Sequence, residues 1–426
     1  ATVGVDRAET LYEKVFVEYG DDSVAQLGGV HLACEQSSNI LTKILEWGRM
    51  MSYLEQSTRY IAYDDRLGGR YRYYRDPDIL EGRFGTRYVG DMDRMFDSYS
   101  QLAELVTNHV RSTVVKGPKD SDFVYRQATR AKALDAVRGL LPASSLSNVG
   151  IYGSGQGYEQ LLLRMRAHPL PEARYYADMM LVELRKVIPS FLRRVDVPER
   201  GVKWSDYLST NTAAMTDIVD AIMGDDIATD VDEVSLIDFD PEGENKLVAA
   251  ACYQYSHLPE SQIRMKVEAM SVADKTDILN AYIGNRDNRR HRPGRAFESI
   301  DYRFDVLSDY GAFRDMQRHR LLTIEWQPLT PYHGYSRPEL VDAAGGGEMF
   351  DEVMARSASL YDALAADYPY QASYAVSMAY RIRYVMQFNA REAMHMLELR
   401  SGPQGHPSYR RVALEMHKQI SEKAGH

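Results

Sequence analysis

Arg318-His319-Arg320, followed further on by Asn389-Ala390-Arg391 with His395 and Arg400 behind it, decides how this chain reads. Both clusters follow apolar, helix-like stretches, and both lie in a chain of net charge −10. Guanidinium forks bind phosphate bidentately and stay charged at any working pH. Concentrated cations in an acidic protein point to an anionic small molecule, a nucleotide above all. If Asn389 to Arg400 lies on one helix, Arg391 and His395 share a stripe, while Asn389 and Arg400 share a neighbouring one. The competing reading is a solvated face on which Glu392 and Glu398 pair the arginines. Arg318-His319-Arg320 likewise has a second reading, as cations meeting the macrodipole at a helix C-terminus.

Working outward, 426 residues suffice for two or three domains with proper cores. With 44% hydrophobic and 26% charged residues, the composition is that of an ordinary soluble globular protein. No apolar run approaches the roughly 20 residues that span a bilayer, and no signal-peptide pattern opens the chain. The acidic balance argues against nucleic-acid binding. Cys34 and Cys252 are the only cysteines and neither belongs to a CxxC motif. The expectation is therefore a reducing cytoplasm with no disulfide framework and no metal cluster. The 30 tyrosines are expected at interfaces and half-exposed helix faces.

Helical spacing of apolar residues runs over 41–51, 101–115, 174–192, 350–366, 379–400 and 409–424. Strand signals fall at 301–306 and 234–239. The stretch 196–232 carries Pro198, Gly201 and Gly224, then Asp225, Asp226, Asp230, Asp232 and Glu233, and reads as a connection. Gly345-Gly346-Gly347 marks a loop. Gly150, Gly153, Gly155 and Gly157 loosely resemble a dinucleotide-binding loop, but with no clear strand before them they read as a loop-to-helix turn. His291, Arg292 and Arg295 form a basic loop that could face a phosphate.

The chain also repeats itself. Ser37 stands twelve residues before Arg49 and fifteen before Ser52; Ser308 stands twelve before Arg320 and fifteen before Thr323. Each serine could cap the helix-like run that follows it. His168-Pro169 and His406-Pro407 each precede a helix rich in arginine and tyrosine. The repeats are placed at 1–200 and 233–426, with the acidic connection at 201–232.

These residues resemble the signatures of the flavin-dependent thymidylate synthases. Arg318-His319-Arg320 resembles that family's Arg-His-Arg, which is followed there by Ser and then Glu-x-Ser-x-Arg. Asn389-Ala390-Arg391 with His395 and Leu399-Arg400 resembles its C-terminal Asn-Ala-Arg helix. Phe297-Glu298 ahead of Tyr302-Arg303-Phe304 resembles its Phe-Glu-His-x-x-Phe-Thr-Phe segment, with Ser299 for the histidine. Arg138-Gly139-Leu140-Leu141-Pro142 resembles its Arg-x-x-Leu-Pro. The resemblance implies an α+β protein made of two fused copies of that fold, a mixed or antiparallel sheet with long helices.

The departures are complementary. The second repeat keeps Arg-His-Arg but continues with Thr323, Trp326, Pro328 and Thr330, and has Ser373 where the Arg of Arg-x-x-Leu-Pro belongs. The first repeat keeps Arg49, Ser52, Glu55, Ser57, Arg59 and Arg138, yet has Trp47-Gly48 for Arg-His and Ser154-Gly155-Gln156 for Asn-Ala-Arg. The family is a homotetramer with sites shared between subunits. A fused pair therefore implies a homodimer, with each repeat maintaining its own half of one composite site.

By resemblance, Arg318, His319, Arg320, Asn389, Arg391 and His395 hold FAD. Glu55, Ser57, Thr58, Arg59 and Arg138, with Gln317 and Arg400, hold dUMP, and Arg400 polarises the uracil ring. The implied reaction is reductive methylation of dUMP to dTMP, with methylene-tetrahydrofolate and NADPH as co-substrates, no metal and no thiol nucleophile. Two rivals stand beside it: a flavin- or nucleotide-binding paralogue without synthase activity, and C5 modification of another uridine nucleotide. The first repeat has much less sequence ahead of Arg49 than the second has ahead of Arg320, which suggests lost opening strands or a longer natural chain.

Overall fold

The structure is a computed structural model and describes residues 25–26, 28–59, 61–224, 226–229 and 231–424. Asp225 and Asp230 of the acidic connection lie outside the described residues. The strands are β1 (Gly29–Ser38), β2 (Met51–Glu55), β3 (Leu146–Ser154), β4 (Val234–Phe239), β5 (Asp301–Asp309), β6 (Thr323–Trp326) and β7 (Arg381–Asn389). Helices of the first repeat are α1 (Asn39–Leu45), α2 (Pro77–Glu81), α3 (Gly85–Thr113), α4 (Asp122–Val137), α5 (Gly155–Ala167) and α6 (Pro171–Arg185). Helix α7 (Lys203–Met223) follows, then α8 (Gly243–Tyr253), α9 (Glu260–Glu268), α10 (Val272–Ile283) and α11 (Tyr310–Met316). The last four are α12 (Glu339–Ala343), α13 (Gly347–Ala365), α14 (Ala390–Arg400) and α15 (Pro407–Gln419). The architecture is α+β, with two antiparallel sheets ordered β1–β3–β2 and β4–β5–β7–β6.

The two repeats share a plan. In each, a strand, a short helix and a second strand precede a long excursion, and the strand that returns pairs between the first two. Thus β3 lies between β1 and β2 as β7 lies between β5 and β6. Ser154 caps α5 by accepting from the Gly157 N–H, and Asn389 caps α14 by accepting from the Glu392 N–H. The caps on α1 and α11 are Ser38 and Asp309, one residue beyond the serines the spacing suggested. His168 and His406 both accept, at Nδ1, the backbone N–H two residues ahead.

Three readings of the sequence are corrected. Residues 379–400 are not one helix: 381–389 form β7, buried at Ile382, Tyr384, Met386 and Phe388 and half-exposed between them. That period of two beats the helical spacing because the intervening arginines cannot be buried on a helix face. The run 41–51 likewise ends as α1 at Leu45, and Met51 opens β2. The Gly150–Gly157 segment straddles the end of a strand: Gly150 and Gly153 lie within β3, whose glycines hide its β character, and Gly155 and Gly157 open α5.

Two compact units divide the chain, Ala1–Thr229 with Arg337–Ala379, and Asp230–Ser336 with Tyr380–His426. They cut across the repeat boundary, because α12 and α13 of the second repeat belong to the first unit. In the first unit α3 buries Tyr88, Met92, Met95, Phe96, Tyr99, Leu102, Val106 and Val110, a stripe at helical spacing, and packs along α13. Some tyrosines stand exposed on helix faces as expected, Tyr175 and Tyr207 among them, but others sit in this core. Tyr63, Tyr73, Tyr88 and Tyr99 are all buried to 1% exposure or less. Their hydroxyls find partners: Tyr63 donates to the Leu146 carbonyl at 2.7 Å and Tyr88 to the Tyr74 carbonyl at 2.7 Å.

Glu172 is a fully buried carboxyl that ties distant parts of this unit together. It accepts from the Ser38 N–H at 2.8 Å, the Ser38 hydroxyl at 2.6 Å and the Tyr374 hydroxyl at 2.7 Å. The second unit swaps the pair: Ser408, second residue of α15 as Glu172 is of α6, donates its hydroxyl to the cap Asp309. Burial raises the Glu172 pKa from 4.5 to about 7, against those hydrogen bonds. A raised acid pKa means the folded protein holds a proton that the unfolded chain has lost. Its contribution to stability is therefore full below pH 4.5 and declines by about 3 kcal/mol as pH rises to 7. Melting Glu172→Gln beside wild type from pH 4.5 to 7.5 should show their difference in Tm shifting in favour of the variant, and a constant difference would refute the buried titration.

Candidate functional site

In the second unit, α11 ends at Met316 and the chain turns, with the His319 N–H bonded to the Met316 carbonyl at 3.2 Å. This turn presents Arg318 to solvent at 40% side-chain exposure while burying His319 to 6%. Strand β7 delivers Asn389 to the start of α14, and one turn of that helix places Glu392 and His395 against His319. His319 Nδ1 lies 3.0 Å from the Glu392 carboxylate, and His395 Nδ1 lies 3.4 Å from the same oxygen. Arg400, at the far end of α14, donates its Nε–H to His319 Nε2 at 2.9 Å.

These contacts fix one proton. His319 Nε2 accepts from a guanidinium, so its proton resides on Nδ1 and is donated to Glu392. Burial lowers the His319 pKa to about 4, and the Arg400 charge helps while Glu392 opposes. The ring is neutral at any physiological pH, and it must be, because an Nε2 proton would collide with the Arg400 donor. The result is a chain running Glu392–His319–Arg400 that holds one guanidinium edge and leaves the rest of the fork to other partners. Arg400 also packs over Tyr409, 5.3 Å from the ring centroid, and lies 3.8 Å from Asp315.

The other predicted residues of this unit take separate places. Arg391 donates to the Pro293 carbonyl at 2.9 Å and to Glu298 at 3.1 Å, so it holds the Phe-Glu segment. Arg295 pairs with the same Glu298 at 2.9 Å. Arg318 pairs with Asp315, Arg320 is half-buried and Gln317 is 2% exposed. Asn389 is spent as a cap, not set on a helical stripe with Arg400.

The first unit gathers its own set. Glu55 ends β2 and meets Lys43 at 3.1 Å, while Lys43 also pairs with Glu46; all three side chains are 2–3% exposed. Arg59 grips Asp135 with two bonds, 2.7 and 3.1 Å, and Arg138 lies 3.8 Å from the same carboxylate. Ser57 accepts from the Arg59 N–H at 3.3 Å, and Thr58 is buried. Two guanidiniums around one carboxylate leave a net positive charge, a setting that suits a phosphate dianion. Tyr60, next in this run, lies outside the described residues.

A family profile described as thymidylate synthase complementing protein matches residues 3–190 and again 235–425. The chain belongs to that family, the flavin-dependent thymidylate synthases, in a tandem form. A UPF0159 protein of Chlamydia pneumoniae is 36% identical over 98% of this chain and 79% of its own length. One from Chlamydia muridarum is equally similar, and one from Thermoplasma acidophilum is 31% identical over 97% of this chain and 86% of its own.

For this family the implied cofactor is a flavin, and the donor chemistry of the second unit is compatible with it. Arg391 and Glu298 pair at partly exposed positions, a contact that is weak in water and readily exchanged for a diphosphate, and Arg318 reaches solvent while holding the buried Asp315. His319, Glu392 and His395 bring ligand-type atoms within 4.8 Å of one another. A cation there would sit beside the Arg400 guanidinium, which favours the anion-facing role. Neither cysteine is poised as a nucleophile: burial pushes the Cys34 thiol up to about 12 and raises Cys252 as well. No helix among the described residues is long and apolar enough to cross a membrane. Sequence reasoning passed over Asp135, Lys43 and Asp315, and read Glu392 as an arginine partner; Asp135 and Asp315 each stand three residues before a site arginine, the one available signal.

Proposed function

We propose that the chain is an FAD-dependent thymidylate synthase that reductively methylates dUMP to dTMP, with methylene-tetrahydrofolate as one-carbon donor and NADPH as reductant. The observation that supports this most is complementary retention. Glu55, Ser57, Arg59 and Arg138 survive in one repeat, and Arg318, His319, Arg320 and Asn389-Ala390-Arg391 survive in the other. Drift in a non-functional duplicate would not spare matching halves of one motif set. The protein would act in the cytoplasm as a homodimer that stands for the family tetramer.

In this reading Arg59 and Arg138 bind the nucleotide phosphate, helped by the Ser57 and Thr58 hydroxyls, and Glu55 accepts from a neutral donor of the nucleotide. Gln317 contacts the base. Arg400, held by His319, faces the pyrimidine carbonyl and stabilises negative charge as C5 becomes nucleophilic. Arg318, Arg320 and Arg391 hold the FAD diphosphate, with His319, Asn389 and His395 lining the same site. FAD, when bound, supplies the reducing equivalents that no side chain here can.

The test is direct. The purified protein should show a flavin absorption band and should release tritium from [5-³H]dUMP when given methylene-tetrahydrofolate and NADPH. Bound flavin with no release would leave only a flavin-binding paralogue, and release from another uridine nucleotide alone would reassign the substrate.

A further inference from the structure

Helix α7 stands apart from the chemistry. Its first turn is anchored, with the Ser205 hydroxyl bonded to the Leu163 carbonyl at 3.2 Å and Arg194 over Trp204 at 5.3 Å. Beyond Ser205 every described residue of the helix is exposed except the half-buried Ser209. That leaves about 27 Å of helix in water, a length that is marginally stable without tertiary support. Yet Leu208, Met215, Ile218 and Ile222 are 36%, 59%, 53% and 67% exposed on it. An apolar stripe on an unsupported helix marks an interface.

The spacing says what kind of partner fits. Trp204, Leu208, Asn211, Met215, Ile218 and Ile222 follow one another at alternating steps of four and three, the seam of a coiled coil. Every charged residue of the helix lies off this seam. Lys203, Asp206, Asp217 and Asp220 occupy outer positions, while the flanking positions hold Ser205, Tyr207, Thr212, Ala214, Val219 and Ala221. A second copy of this helix can therefore approach without like charges meeting.

The sequence also selects a direction. Read antiparallel, the seam closes on itself: Trp204 meets Ile222, Leu208 meets Ile218, and Asn211 meets Met215. This arrangement opposes the two macrodipoles and brings the Lys203 end to the Asp217 and Asp220 end. A parallel pair would bring the two acidic ends together. We infer that α7 is a homodimerisation element that pairs antiparallel with the α7 of a second copy about a two-fold axis. This does not depend on the synthase reading.

Sedimentation of the full chain should give a dimer at micromolar concentration. Ile218→Asp should raise the dissociation constant at least 100-fold with a loss of helical circular dichroism no greater than this one helix accounts for, while Asp217→Asn should leave the dimer intact. Direction is tested in a Cys252→Ser background. Leu208→Cys with Ile218→Cys should crosslink two chains on oxidation, and Leu208→Cys alone should not, because its copies lie about 15 Å apart in the antiparallel pair. A monomeric wild type, a dimer indifferent to Ile218→Asp, or crosslinking by the single cysteine would overturn the proposal.

Discussion

Arg59→Ala is expected to abolish dUMP binding while leaving the flavin in place. The side chain makes a bidentate pair with Asp135 and shares that carboxylate with Arg138. Its removal cancels the local positive charge, because one guanidinium then faces one carboxylate. Two charge-assisted bonds to phosphate are worth on the order of 3 kcal/mol, so Kd for dUMP should rise about 100-fold or more. Calorimetric titration with dUMP measures this, and the flavin spectrum of the same sample reports the cofactor. Arg391→Ala is the reciprocal case, with flavin loss expected at retained nucleotide affinity. Unchanged dUMP affinity in Arg59→Ala would show that the nucleotide does not use the first repeat.

The second large effect belongs to Arg400 and the chain that holds it. Arg400→Ala should lower kcat about 100-fold, the usual loss for one oxyanion-type donor, with KM for dUMP changed far less. Glu392→Ala acts at one remove: it leaves the His319 Nδ1 proton without its acceptor and should lower kcat about tenfold. Glu392→Gln should restore most of this, since an amide oxygen also accepts from Nδ1–H. The pH profile adds a readout that mere packing would not move. Because burial holds His319 near 4, wild type should show no acid limb from this ring between pH 5 and 7. The lowered pKa also means that stability from the neutral ring is full above 6.5 and is lost as pH falls towards 4. An equal loss in Glu392→Gln and Glu392→Ala would reduce Glu392 to a structural role.

Much of this was legible in the residues. The strand over 301–306 and the strand over 234–239 stand where alternation put them, because each has one wet face and one dry face. The swap of motif between repeats was visible as a comparison of sequence with itself. What could not be read is instructive. Asn389 looked like a member of a helix stripe because a strand rich in arginine and tyrosine mimics helical spacing over short windows. Its true position, at the junction of β7 and α14, makes it a cap. The service of Asp135 to Arg59 spans 76 residues, and no local pattern encodes such a pairing. Which tyrosines go to the core could not be read from their number, because a phenol is buried cheaply once its hydroxyl reaches a backbone carbonyl, which depends wholly on the fold.

The crossing of repeat and unit has an evolutionary reading. Helix α13 comes from the second repeat, yet it seals the core of the first unit with Phe350, Val353, Met354, Leu360 and Leu364, each 1% exposed or less. Arg356 pairs with Asp91 and Asp367 with Arg83 across the same seam. Such an exchange of elements is what two subunits do in a swapped dimer. Fusion of two such copies would make the exchange permanent and lock the duplication. Neither repeat can be deleted, shuffled to another gene or returned to a free-standing ancestor without stripping a core of its own wall. Selection would then act on the pair as one inherited object, which is the condition that the proposed division of one site between the copies requires.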